Sequence, residues 1–167
     1  MAKIIATRSA QYPLVAHQVL NFSDWTVDSV TGTKKTFGST VALSSDPTEP
    51  SLTSGKNGTV TFTLFNMPRG AIITGGYVVV ETAATTAGSY TMNIGDGTTM
   101  AKYVSAFDWE ATTAAAFTIT TNVTLGASAG TNISCELVIS NNDVSTGKVH
   151  VYVMYIIEGK ANEVVPN

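Results

Sequence analysis

A single cysteine, Cys135, stands in the 167 residues, so no disulfide can form within the chain. The two histidines, His17 and His150, lie far apart, and neither is followed by a second His or Cys at zinc-ligand spacing. Charge is scarce. Charged residues make up 13% of the chain, against roughly 25% in an average domain. The net charge is −3, and Lys34-Lys35 is the one adjacent basic pair. Phosphate backbones are recognised by clustered Lys and Arg, so nucleic acid is not an expected partner. No apolar run approaches the roughly 20 residues that cross a bilayer, so no membrane is expected either. The residues Met1 to Arg8 lack the apolar centre of a secretory signal, which leads us to expect a soluble chain made in the cytosol. The sequons at Asn21, Asn57, Asn122 and Asn132 therefore carry little weight.

Hydroxyls supply the polarity that charge does not. The chain holds 26 Thr and 14 Ser beside a hydrophobic fraction of 44%. Thr is β-branched and suits a pleated strand, with its hydroxyl turned to water or to a neighbouring chain. At this length one domain is expected, burying about two thirds of its unfolded surface.

Alternation of polar and apolar residues is the dominant signal. It runs through Thr59-Val60-Thr61-Phe62-Thr63-Leu64, turns at Met67-Pro68-Arg69-Gly70, and resumes from Ala71 to Val80 and from Tyr90 to Ile94. Period two places one side of a strand in a core and the other outside. Strands are expected at about 58–66, 71–82, 88–95, 132–140 and 147–158, with Tyr103-Val104 ending a short one. Phe117 to Thr121 and Val123 to Leu125 also read as strands, and a turn falls at Asn141-Asn142-Asp143. A helical turn is expected only within 105–116, where paired Thr residues keep it short. The strand at 147–158 is apolar on both sides and is expected to be central. The result is an all-β, antiparallel sandwich or jelly roll of about eight to ten strands with little helix. Its parts are an arm or first strand at 1–20, a loop-rich segment with short strands at 21–57, a sandwich core at 58–158 and a tail at 159–167.

No reaction centre emerges. Cys135 shares a strand side with Ile133, Leu137 and Ile139, which marks an inert buried thiol. His150 reads as a packed or surface imidazole. Gly95-Asp96-Gly97 offers one carboxylate where calcium needs several oxygens, and a tight turn with Gly at positive φ accounts for all three residues. Asp108 and Glu110 lack the walls of a sugar cleft, and no Gly-x-Ser-x-Gly elbow occurs. Catalytic residues, metals and cofactors are therefore not expected. Aromatics set among small polar residues, among them Tyr12, Phe22, Trp25 and Trp109, fit contact surfaces and loop residues folded back on a sandwich equally well.

The run Phe65 to Gly76, then Val79 to Ala83, Asn93 to Gly97, Ala101 to Val104 and Val151 to Ile156, resembles a pattern found in small tailed-phage virion proteins. There a strand ends in Pro-x-Gly, a Thr-Ala loop leads to a strand closing on Gly-Asp, and a tyrosine-bearing strand ends the domain. The resemblance covers about residues 58–158, and the segment 21–57 departs from it. It implies a sandwich or jelly-roll subunit of a virus particle: foremost a head decoration or cement protein, or else a head-fibre base or a tail component. Such a protein would bind the major capsid protein and copies of itself, as a trimer, within the virion. On this basis Tyr12, Phe22 and Trp25 are candidate partner contacts, and the termini are candidate lashings. The alternative is a tail or fibre module that binds host glycan, with Trp109 as its aromatic platform.

Overall fold

A computed structural model describes residues 12–42, 58–86, 88–119, 132–140 and 144–157. Eleven strands and no helix occur among them. They are β1 (Leu14–Asn21), β2 (Trp25–Val27), β3 (Lys34–Thr36), β4 (Ser39–Ala42), β5 (Gly58–Phe65), β6 (Ala71–Thr82), β7 (Ser89–Gly95), β8 (Val104–Asp108), β9 (Ala114–Ala116), β10 (Ile133–Ser140) and β11 (Lys148–Ile157).

Eight of these strands form two four-stranded sheets, ordered β1-β11-β6-β9 and β5-β10-β7-β8. Every pairing is antiparallel. Within this framework the first strand pairs with the last (β1 with β11) and the second with the next to last (β5 with β10). The innermost pairs are β6 with β9 and β7 with β8. A long hairpin rolled across two sheets has this connectivity, which makes the sandwich jelly-roll-like.

The core follows from the alternation. Val60, Phe62 and Leu64 of β5 point inward, as do Ile133, Cys135, Leu137 and Ile139 of β10 and Val149, Val151 and Val153 of β11. β11 lies between β1 and β6 and is central, as its two apolar sides require. The Tyr90 ring stacks on Trp109 at 4.6 Å, and the Tyr90 hydroxyl donates a 2.5 Å bond to the Phe37 carbonyl. That bond ties the framework to the segment between β3 and β4.

The expected helical turn within 105–116 is absent, because strands β8 and β9 occupy this stretch. The cause is local. Met92 and Ile94 of β7 oppose Phe107 and Val104, so the ladder slips at Ser105-Ala106. Ala106 takes φ +48°, and its amide donates to the Asn93 side-chain oxygen. This bulge breaks the period of two and hides the strand. Phe117 to Ile119 is not a strand either. The Phe117 and Thr118 amides donate to the Gly76 and Tyr103 carbonyls, and the Phe117 ring fills the space above Gly76. The expected strand at Val123 to Leu125, the turn at Asn141 to Asp143, most of the N-terminal arm and the C-terminal tail lie outside the described residues.

Candidate contact surface

The outer face of the sheet β1-β11-β6-β9 carries large side chains that the core does not claim. Strand β1 contributes Val15, His17 and Val19, strand β11 contributes His150, Tyr152 and Met154, and strand β6 contributes Tyr77, Val79 and Glu81. The register sets them in rows: Val15 beside Met154, His17 beside Tyr152 and Tyr77, Val19 beside His150 and Val79. Val15 on the edge strand β1 is 59% exposed, and on the interior strand β6 Tyr77 is 48% exposed and Val79 37%, large values for apolar side chains. Ala114 and Ala116 of β9 extend the face with small residues. Among these four strands the Asp, Glu, Lys and Arg side chains are only Lys148 and Glu81, and they pair with each other at 2.8 Å. The Lys148 ammonium, and then His150, hold the Glu81 carboxyl below its usual range.

Beside that pair the two histidines meet. His17 Nε2 lies 3.0 Å from His150 Nδ1, and His150 Nε2 bonds to Glu81 Oε2. The His17 ring stacks on Tyr152 at 4.3 Å and is within 5° of parallel to His150. Sequence spacing gave no sign of this, because the histidines belong to the first and last framework strands.

A second surface is formed by the inserted sheet β2-β3-β4, whose β2-β3 connection packs against β5. Asp28 is buried and is the anchor. Its carboxylate accepts from the Lys35 ammonium at 2.8 Å, the Thr31 hydroxyl at 2.5 Å and the Thr61 amide at 2.9 Å. Desolvation pushes the Asp28 pKa up, but these donors outweigh it and hold the carboxyl well below the usual range. Lys35 also donates to the Thr59 carbonyl. An open cleft of about 700 Å³ runs beside this anchor, lined by Asp28, Val30, Lys35, Thr61, Met100 and Glu136, among others. The polar groups of Asp28 and Lys35 are spent on internal bonds, so they act as a clamp.

Of the aromatic contacts expected from sequence, Tyr12 is 69% exposed just ahead of β1. Trp25 is 54% exposed, with the Lys34 ammonium 4.6 Å from its ring centre. Phe22 is half-buried and packs against the core. Trp109 is fully buried. The expectation of Trp109 as an exposed platform for glycan is therefore corrected: the bulge in β8 leaves Phe107 and Trp109 both facing inward. Among the described residues, the Trp109 indole nitrogen is buried with no partner.

The groups weighed for chemistry are committed elsewhere. The Asp96 carboxylate accepts from the Thr98 and Thr99 amides and from the Lys102 ammonium. Gly97 takes φ +81°, as a turn requires, but Gly95 serves a different need. A Cβ there would lie 1.8 Å from the Thr99 carbonyl oxygen, so close approach, not positive φ, selects this glycine. Burial, and then Glu136, push the Cys135 thiol far up.

No family model matches the chain, and no curated protein matches it. Among solved structures, the fold is similar to that of a chain in the cyanophage Pam1 capsid asymmetric unit. The TM-score is 0.53 and the identity 21%, over 93% of this chain and 94% of that one. At this identity the likeness is one of fold.

Proposed function

We propose that the chain is a non-enzymatic structural protein of a tailed-phage particle that decorates and cements the outer surface of the head. The observation that carries this reading is the likeness of fold, along nearly the whole of both chains, to a chain of a phage capsid assembly. The outer face of β1-β11-β6-β9 supports it. A sheet face bearing Val15, Tyr77, Val79 and Tyr152, with its charges gathered at one end, suits docking against protein subunits. The partners in this reading are the major capsid protein and further copies of the chain, assembled as a trimer. Many modest contacts repeated over a symmetric shell then act through avidity. Tyr12 and Trp25 are exposed and remain contact residues in this proposal; Phe22 contributes through its exposed edge.

Binding to undecorated heads, followed by co-sedimentation, tests the reading. The wild-type chain pellets with heads to saturation. Val79→Asp, which puts a charge on the outer face and leaves the core untouched, keeps the fold and lowers head binding at least tenfold. Failure of the wild-type chain to pellet with heads would overturn the proposal.

A further inference from the structure

We infer that His17 and His150 form a binding site for a divalent transition-metal ion of the imidazole-preferring kind, such as Zn²⁺. The facing nitrogens, His17 Nε2 and His150 Nδ1, are 3.0 Å apart. Two imidazole nitrogens bound to one ion at about 2.0–2.1 Å stand roughly 2.9–3.4 Å apart for angles between 90° and tetrahedral. The distance matches that of two ligands, and in the chain without metal it is spanned by an N–H···N hydrogen bond.

Glu81 fixes the tautomer of His150. His150 Nε2 bonds to Glu81 Oε2, and a carboxylate accepts only from a protonated nitrogen. His150 Nδ1 is therefore the acceptor and His17 Nε2–H the donor of the bond between the rings, so an ion binds there by replacing that proton, with His17 in its Nδ1–H tautomer. A carboxylate behind a ligating imidazole fixes its tautomer and raises its basicity. The His17 ring is oriented by its stack on Tyr152, within 6° of parallel. Lys148 is the nearby cation, and its charge is spent on Glu81. Among the described residues no cluster of three or more metal-ligating side chains occurs. The site is thus a two-histidine chelate with a carboxylate behind it, and its remaining positions are open to water on an exposed face. An ion there joins the first framework strand to the last.

Titration calorimetry of the untagged full chain with Zn²⁺ alone tests the inference. One saturable equivalent per chain is expected, together with a rise in Tm on adding Zn²⁺. His17→Gln and His150→Gln each abolish both effects while leaving the metal-free circular dichroism spectrum unchanged. Glu81→Ala weakens binding by about 10–100-fold. Absence of saturable Zn²⁺ binding by the wild-type chain, or binding undiminished in both histidine variants, would overturn the site. The result is independent of head binding, so the two proposals stand or fall separately.

Discussion

Asp28 shows how one side chain can secure a whole insertion. Among the described residues the segment that carries β2, β3 and β4 gives few large side chains to the core, and the bonds of Asp28 to Lys35, Thr31 and Thr61 hold it to β5. Breaking a buried ion pair by removing one partner costs about 3–5 kcal/mol. Partial access of water to Lys35 puts the expected loss for Asp28→Ala at the low end, about 3 kcal/mol, measured by urea unfolding. The pH dependence follows from the sign of the shift. The folded carboxyl is held below its unfolded value. Its stabilisation is therefore fully present above the unfolded value of about 4 and is lost as pH falls toward the folded value. Tm should drop on acidification below about pH 4, and less so in Asp28→Asn. The two tryptophans give a separate check. Trp25 is open to solvent and Trp109 is enclosed, so acrylamide should quench the Trp25 share of the fluorescence. In Trp25→Phe the remaining emission should be blue-shifted and resistant to quenching. Strong quenching in that variant would contradict the burial of Trp109.

Among the elements, β11 bears most on the fold, because it is hydrogen-bonded on both sides and Val151 is wholly enclosed. Val151→Asp places an unpaired charge there and should cost more than about 4 kcal/mol, leaving little soluble, folded protein. A normal melting profile would contradict the central placement. This strand was legible in the sequence because both its sides are apolar. β5, β7 and β10 were legible because their apolar residues alternate with Thr or other polar residues, and β6 because its long apolar run follows the turn at Pro68-Arg69-Gly70. β8 was not, because the bulge at Ser105-Ala106 breaks its period. β9 was not, because Ala114-Ala115-Ala116 has no polar alternation. Gly95 reads as a turn glycine in the sequence, since proximity to the Thr99 carbonyl leaves no local mark. The candidate surface was the least legible part. Its rows join β1 to β11 and β6, and such non-local register cannot be read from neighbours in sequence. The aromatics suggested a surface, but burial separates Trp109 from Trp25, and burial is a property of the folded chain.

For the whole molecule, the rolled sandwich leaves one broad sheet face where Val15, Tyr77, Val79 and Tyr152 meet solvent, with the inserted sheet as a separate appendage. A layered β-scaffold of this kind presents surface, and its ionisable groups at Asp28 and Asp96 are bound into internal clamps. The proposal of adhesion to a capsid rests on that arrangement together with the capsid-derived neighbour of similar fold. A difference map from electron microscopy, comparing undecorated heads with heads saturated by the purified chain, tests it most directly. Added density on the outer head surface, at positions repeating with the shell lattice and fitted by the sandwich, is the expected result. A map with no added density on the head would contradict the account.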